Sequence, residues 1–114
     1  MNGYVKLFRK FLTWEWYSNI NTKTVFIHCL LKANWEDKKY EGQIIKRGSF
    51  VTGRKQLAKE VGISEQQVRT ALSHLISTNE ITIKKTNKYS IISINNFDEY
   101  QVINQQDNQQ ITNK

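Results

Sequence analysis

"GISEQQVRTALSHLISTNEITIKK", residues 62–85, is the stretch that decides the fold. Gly62 ends a preceding helix in the left-handed conformation that only glycine adopts cheaply. Ser64 and Gln67 have the spacing of a capping box, in which each side chain bonds the other residue's backbone N–H. Val68, Ala71, Leu72, Leu75 and Ile76 then recur at helical spacing, which predicts a helix over 64–77 with that stripe turned inward. After it the period changes to two. "EITIKKTNKYSIISI" alternates through Ile81 and Ile83, then Tyr89 and Ile91, and Thr86-Asn87 is the expected turn because Asn tolerates positive φ. Ile92 and Ile94 point opposite to Ile91, so the second strand is expected to be covered on both faces.

Upstream, "GRKQLAKEVGI" reads as a short helix capped by Thr52 or Gly53, with Leu57, Ala58 and Val61 inward. "IIKRGSFVT" offers Ile44, Ile45, Phe50 and Val51 around Arg47-Gly48, which suits one or two short strands. "WEDKKYEGQ" before it is a charged connection. "NTKTVFIHCLLKANW" predicts a helix capped by Asn21 or Thr22 and running to about Trp35, with only a narrow polar stripe of Thr24, His28 and Lys32. A helix so apolar must be covered on most sides, by the core on one and by the N-terminal segment or a second subunit on the other. "YVKLFRKFLT", residues 4–13, places Tyr4, Leu7, Phe8, Phe11 and Leu12 opposite Lys6, Arg9, Lys10 and Thr13, the pattern of a short amphipathic helix. The order is helix, strand, helix, tight turn, helix, hairpin. That is an α+β class, mainly α: a winged helix-turn-helix domain over residues 1–103 with an extra N-terminal helical segment. Residues 104–114 are polar and rich in Asn and Gln, and are expected to be a disordered tail or the start of a linker.

The 114 residues suit one domain, and the formal charge of +7 is unevenly placed. Residues 1–94 hold 16 Lys and Arg against 7 Asp and Glu, a balance of +9, while residues 95–114 hold one Lys against three acids, −2. A compact body of that charge attracts polyanions through its long-range field, although a basic surface also serves solubility alone. One cysteine, Cys29, excludes an internal disulfide framework and fits a reducing cytoplasm. The opening residues are not expected to form a signal peptide, because Lys6, Arg9 and Lys10 interrupt the apolar residues. The longest apolar stretch, Val25–Leu31, contains His28 and falls far short of the ~20 residues of a membrane span. His28, Cys29 and His74 are too few and too scattered for a zinc site. No Gly-rich phosphate loop is present, and Glu36-Asp37 and Asp98-Glu99 are adjacent pairs in polar surroundings. The expectation is therefore no enzyme, no cofactor and no metal.

With Val68, Ala71 and Leu72 inward, the 64–77 helix presents Glu65, Gln66, Arg69, Thr70 and Ser73, with Gln67 and His74 beside them. Arg pairs bidentately with guanine and Gln with adenine, while Ser and Thr reach bases or phosphates. Ser64 stands at the N-terminus of the helix, where free N–H groups favour phosphate. Lys84, Lys85 and Lys88 cluster at the hairpin, and Arg54 and Lys55 open the preceding helix. These are the candidate DNA contacts. Glu65 either accepts from a cytosine amino group or complements the helix dipole. The competing reading is a polar surface with no ligand, or one that meets protein. Trp14, Trp16 and Trp35 are suited to stacking on unpaired bases, but aromatics beside an apolar helix are more commonly core or interface. Leu7, Phe8, Phe11, Trp14 and Trp16 are accordingly expected at a subunit contact.

"GYVKLFRKFLTWEWY", "VFIHCLLKANW", "RGSFVTGRKQLAKEVGISEQQVRTALSHL" and "ISINNFDEYQ" together resemble the N-terminal domain of DnaD-like phage replication initiators, the replisome organisers of Gram-positive phages. The likeness covers about residues 3–101. The helix-turn-helix part also resembles the GntR-type repressor pattern "VSxxTVRxAL"; the aromatic N-terminus and the closing "NNFDEYQ" point to the phage proteins. That resemblance implies a cytoplasmic, winged-helix, origin-binding domain acting in the bacterial host cell, often as a homodimer. It also implies a C-terminal domain after a polar linker, engaging single-stranded DNA or a helicase loader. On this reading the chain is a fragment cut at the start of its linker. Gly53 departs from the family, which often has a Ser cap there.

Overall fold

The computed structural model describes residues 3–101. They form a small α+β domain of four α-helices and two antiparallel sheets. The expected tail, residues 104–114, lies outside the described residues.

The chain enters through residues that are not helical, then makes a 3-10 helix, Arg9–Thr13. The helix expected over 4–13 is thus cut to its second half. The reason is tertiary: the buried Gln101 side chain takes both backbone groups of Lys6, its Oε1 accepting from the Lys6 N–H at 2.7 Å and its Nε2 donating to the Lys6 carbonyl at 3.0 Å. Helix α1 spans Ile20–Lys32 and is capped by Asn19, whose side chain accepts from the Thr22 N–H at 3.1 Å. The cap falls two residues before the first expected position, and Trp35 lies beyond the helix. Val25, Phe26, Cys29 and Leu30 are buried in the core, with the Cys29 thiol pushed up to about 12 by desolvation.

The charged connection hides a hairpin. Strands β1 (Lys38–Tyr40) and β2 (Gln43–Ile45) pair around Glu41-Gly42, whose φ values of 47° and 82° are those of a primed two-residue turn. Strand β3 (Ser49–Thr52), helix α2 (Arg54–Val61) and helix α3 (Glu65–Ser77) follow, then strands β4 (Ile81–Lys85) and β5 (Ser90–Ile94) and the short α4 (Phe97–Tyr100). The three-stranded sheet has the order β3-β5-β4. In its register Ile81 faces Ile94 and Ile83 faces Ile92, while Val51 and Lys84 flank Ile91 on the other side of the sheet. Both Ile91 and Ile92 are buried. The face of β5 carrying Ile92 and Ile94 joins the core formed by α1, α2 and α3. The β1–β2 hairpin comes against the other face through Tyr40, edge-on to Tyr89 at 5.2 Å, and through Gln43, which donates to the Tyr89 hydroxyl at 2.5 Å.

Two devices lock the ends of this frame. Arg47 donates from Nε to Asp98 at 2.8 Å and from its terminal nitrogens to the Trp35 and Gln101 carbonyls, while its guanidinium lies over the Trp35 and Phe97 rings. Trp14 donates to Glu80 and packs on Phe11 and Phe26, and Trp16 donates to Thr78 while stacking on His74 at 4.3 Å. Phe11, Trp14 and Trp16, expected at a subunit contact, are therefore packed against this chain's own core. Of the five residues placed there, Leu7 and Phe8 stay exposed. Among the described residues, no helix is long and apolar enough to cross a membrane.

Candidate nucleic-acid interface

Helix α3 is positioned by its start and by the turn before it. Gly62 has φ 87° and its N–H closes on the Ala58 carbonyl, turning the chain sharply out of α2. Both halves of the capping box form: Ser64 Oγ accepts from the Gln67 N–H at 3.0 Å, and Gln67 Oε1 accepts from the Ser64 N–H at 2.9 Å. Val68, Ala71 and Leu75 are wholly buried against α1 and α2. Leu72 is half-buried, and Ile76, expected to face inward, is 48% exposed.

Those two residues belong to a groove. An open hollow of about 620 Å³ runs between α3 and the β4–β5 hairpin. Leu72, Ile76, Ile83 and Ile92 contribute its apolar lining, and Arg54, Arg69 and Lys85 its charges. Among the described residues no carboxylate lines it. Ile76 is exposed on the wall of this groove.

The outward residues of α3 divide between two flanks. Arg69 and Ser73 face this groove, and Gln66, Gln67 and Thr70 face a smaller polar hollow of about 200 Å³ shared with Asn19, Asn21 and His74. Gln66, Arg69, Thr70 and Ser73 are exposed, and none makes a side-chain hydrogen bond or ion pair among the described residues. Ser64 and Gln67, by contrast, spend their oxygens on the cap. His74 is turned back onto α1, where its Nδ1 lies 2.8 Å from the Thr22 hydroxyl.

The three expected hairpin lysines are exposed but do not act as one cluster. Lys85 lines the α3 groove. Lys84, one residue away in a strand, projects from the opposite face of the sheet. Lys88 sits in the turn and lines a separate cleft with Lys55 and Lys59. That turn is closed by Thr86, whose hydroxyl accepts from the Lys88 and Tyr89 N–H groups at 3.2 and 3.1 Å. Lys59, Asn19 and Asn21 were not anticipated as surface partners of these residues; only the three-dimensional approach of separate elements brings them together. Among the described residues no three His, Cys, Asp or Glu side chains gather as a metal site.

The chain matches no known family model, no curated protein and no solved structure.

Proposed function

We propose that this chain is a winged-helix domain that binds double-stranded DNA sequence-specifically, with α3 in the major groove and the β4–β5 hairpin as the wing on the phosphate backbone. The observation that carries the reading is the outer face of α3. Gln66, Arg69, Thr70 and Ser73 are exposed and uncommitted; Arg69 and Ser73 line a groove whose charged residues among those described, Arg54, Arg69 and Lys85, are all cationic, and Gln66 and Thr70 line the polar hollow on the other flank. A recognition helix needs free donors and acceptors at its surface, since those bonded within the protein have nothing left for a base edge. The groove lining of Leu72, Ile76 and Ile83 suits sugar carbons and thymine methyls. Its use is origin recognition in a DnaD-like phage-type replication initiator, inside the bacterial host cell; a helicase loader would be met through a further domain. Homodimers are part of this reading, with the exposed Leu7 and Phe8 as the contact.

A GntR-like repressor would use the same DNA contacts at a promoter, and selection of the preferred duplex followed by mapping its position separates the two. A protein-assembly module is the other alternative, favoured by the exposed Tyr4, Leu7, Phe8 and Leu12. Titration of random and selected duplexes against salt tests the DNA reading. Affinity should fall steeply, with a slope of about −0.9 for each phosphate neutralised. Absence of duplex binding at low salt would leave the assembly module standing.

A further inference from the structure

The surface beside α3 is not the only cationic hollow. Lys55 and Lys59 on α2 and Lys88 in the β4–β5 turn converge on a second cleft of about 630 Å³, which Gln56 and Tyr89 also line. Among the described residues no carboxylate faces it. Glu60, the acid nearest in sequence, is taken by Gln56 at 2.7 Å, His28 at 2.9 Å and Lys32 at 3.4 Å. None of the three cleft lysines has an ion-pair partner among the described residues. Lys55 and Lys59 are four apart on one helix, a like-charge spacing that costs stability unless an anion lies over it.

We propose that this cleft is a second phosphate-backbone site, which holds the flank of the same duplex beyond the segment that α3 reads; it rests on the DNA-binding reading above. Continuity is the reason for choosing the same duplex. Thr52 and Gly53 line both hollows, and the β4–β5 hairpin reaches both, Lys85 into the first and Lys88 into the second. The base of the hairpin tip is tied to the β1–β2 hairpin, because Tyr89 meets Gln43 and Tyr40. Those same contacts commit the Tyr89 hydroxyl and crowd its ring. The cleft therefore offers charge for phosphates rather than a platform for unpaired bases.

Lys59 tests the inference, because it lies outside the α3 groove. Fluorescence anisotropy would compare the wild type, Lys59→Ala, Lys59→Glu and Arg69→Ala on duplexes carrying the selected sequence with progressively shorter flanks, and on a single strand of the same length. Equal melting temperatures check that the variants fold. The wild type should weaken as the flanks are trimmed. Lys59→Ala should flatten the salt slope by about 0.9 if one phosphate contact is lost. Lys59→Glu should bind long and short duplexes alike. If Arg69→Ala weakens binding while both Lys59 variants keep the wild-type slope and flank dependence, the second site is wrong and the α3 reading survives. A Lys59 effect confined to the single strand would also overturn it, in favour of a single-strand site. If the wild type binds no duplex at low salt, both readings fall together.

Discussion

Arg69 and Gly48 show how much single residues decide. Arg69 is exposed, lines the α3 groove and has no carboxylate partner among the described residues. If it reads a guanine, Arg69→Ala should cost about 1–3 kcal/mol on the preferred duplex and relax the choice of base at one position. An unchanged base preference in a selection experiment would remove it from the readout. Gly48 does structural work. It sits at φ 84°, and a Cβ there would lie 2.8 Å from the Phe97 side chain. Gly62 also has positive φ, 87°, but open space where its Cβ would be. Both alanine variants carry the backbone strain of about 1–2 kcal/mol, and only Gly48→Ala adds a clash. Denaturant unfolding should therefore find Gly48→Ala the less stable of the two; equal losses would mean that α4 moves aside freely.

Among the elements, α3 and the β4–β5 hairpin were the most legible in the sequence, for a physical reason. The capping box, the glycine stop and the period-two isoleucines are local signals, and each formed as expected. The elements that were misread depend on distant partners. The N-terminal segment has helical periodicity, yet Gln101, 95 positions away, holds its backbone at Lys6. The β1–β2 hairpin escaped notice because its turn is Glu41-Gly42, without the Asn or Asp that usually marks positive φ. Nothing local in "WEW" says that Trp14 reaches Glu80 and Trp16 reaches Thr78. The α1–α2 contact adds a pH dependence of its own. Hydrogen bonds from Gln56, then His28, and the nearby Lys32 lower Glu60 to about 2. A depressed carboxyl contributes stability above its unfolded value near 4.3 and loses it as pH falls towards 2. Thermal unfolding of the wild type should thus lose more between pH 5 and pH 2–3 than that of Glu60→Gln. Parallel curves would show that the cluster adds no net stability.

On the scale of the whole molecule, the separate pieces form one surface. Arg69 and Ser73 of α3, the cationic groove that they line and the lysine cleft across Thr52 and Gly53 adjoin one another, with Gln66 and Thr70 on the other flank of the helix. Of the acids nearby, Glu60 on α2 is tied to His28 and Lys32, and Glu65 stands in the first turn of α3, where it complements the helix dipole. Sequence reading found the charge asymmetry and most of its residues. It did not sort the lysines, because Lys84, Lys85 and Lys88 adjoin in the chain while pleat and turn send them to different places. The most direct measurement is a nuclear magnetic resonance titration of the isotope-labelled protein with its selected duplex, following every backbone amide and the arginine side chains. Shifts should concentrate at Gln66, Arg69, Thr70 and Ser73 on α3, at Arg54 and at Lys85–Lys88, and leave the N-terminal segment unmoved. Shifts centred on residues 4–12, with the outer face of α3 silent, would contradict the account.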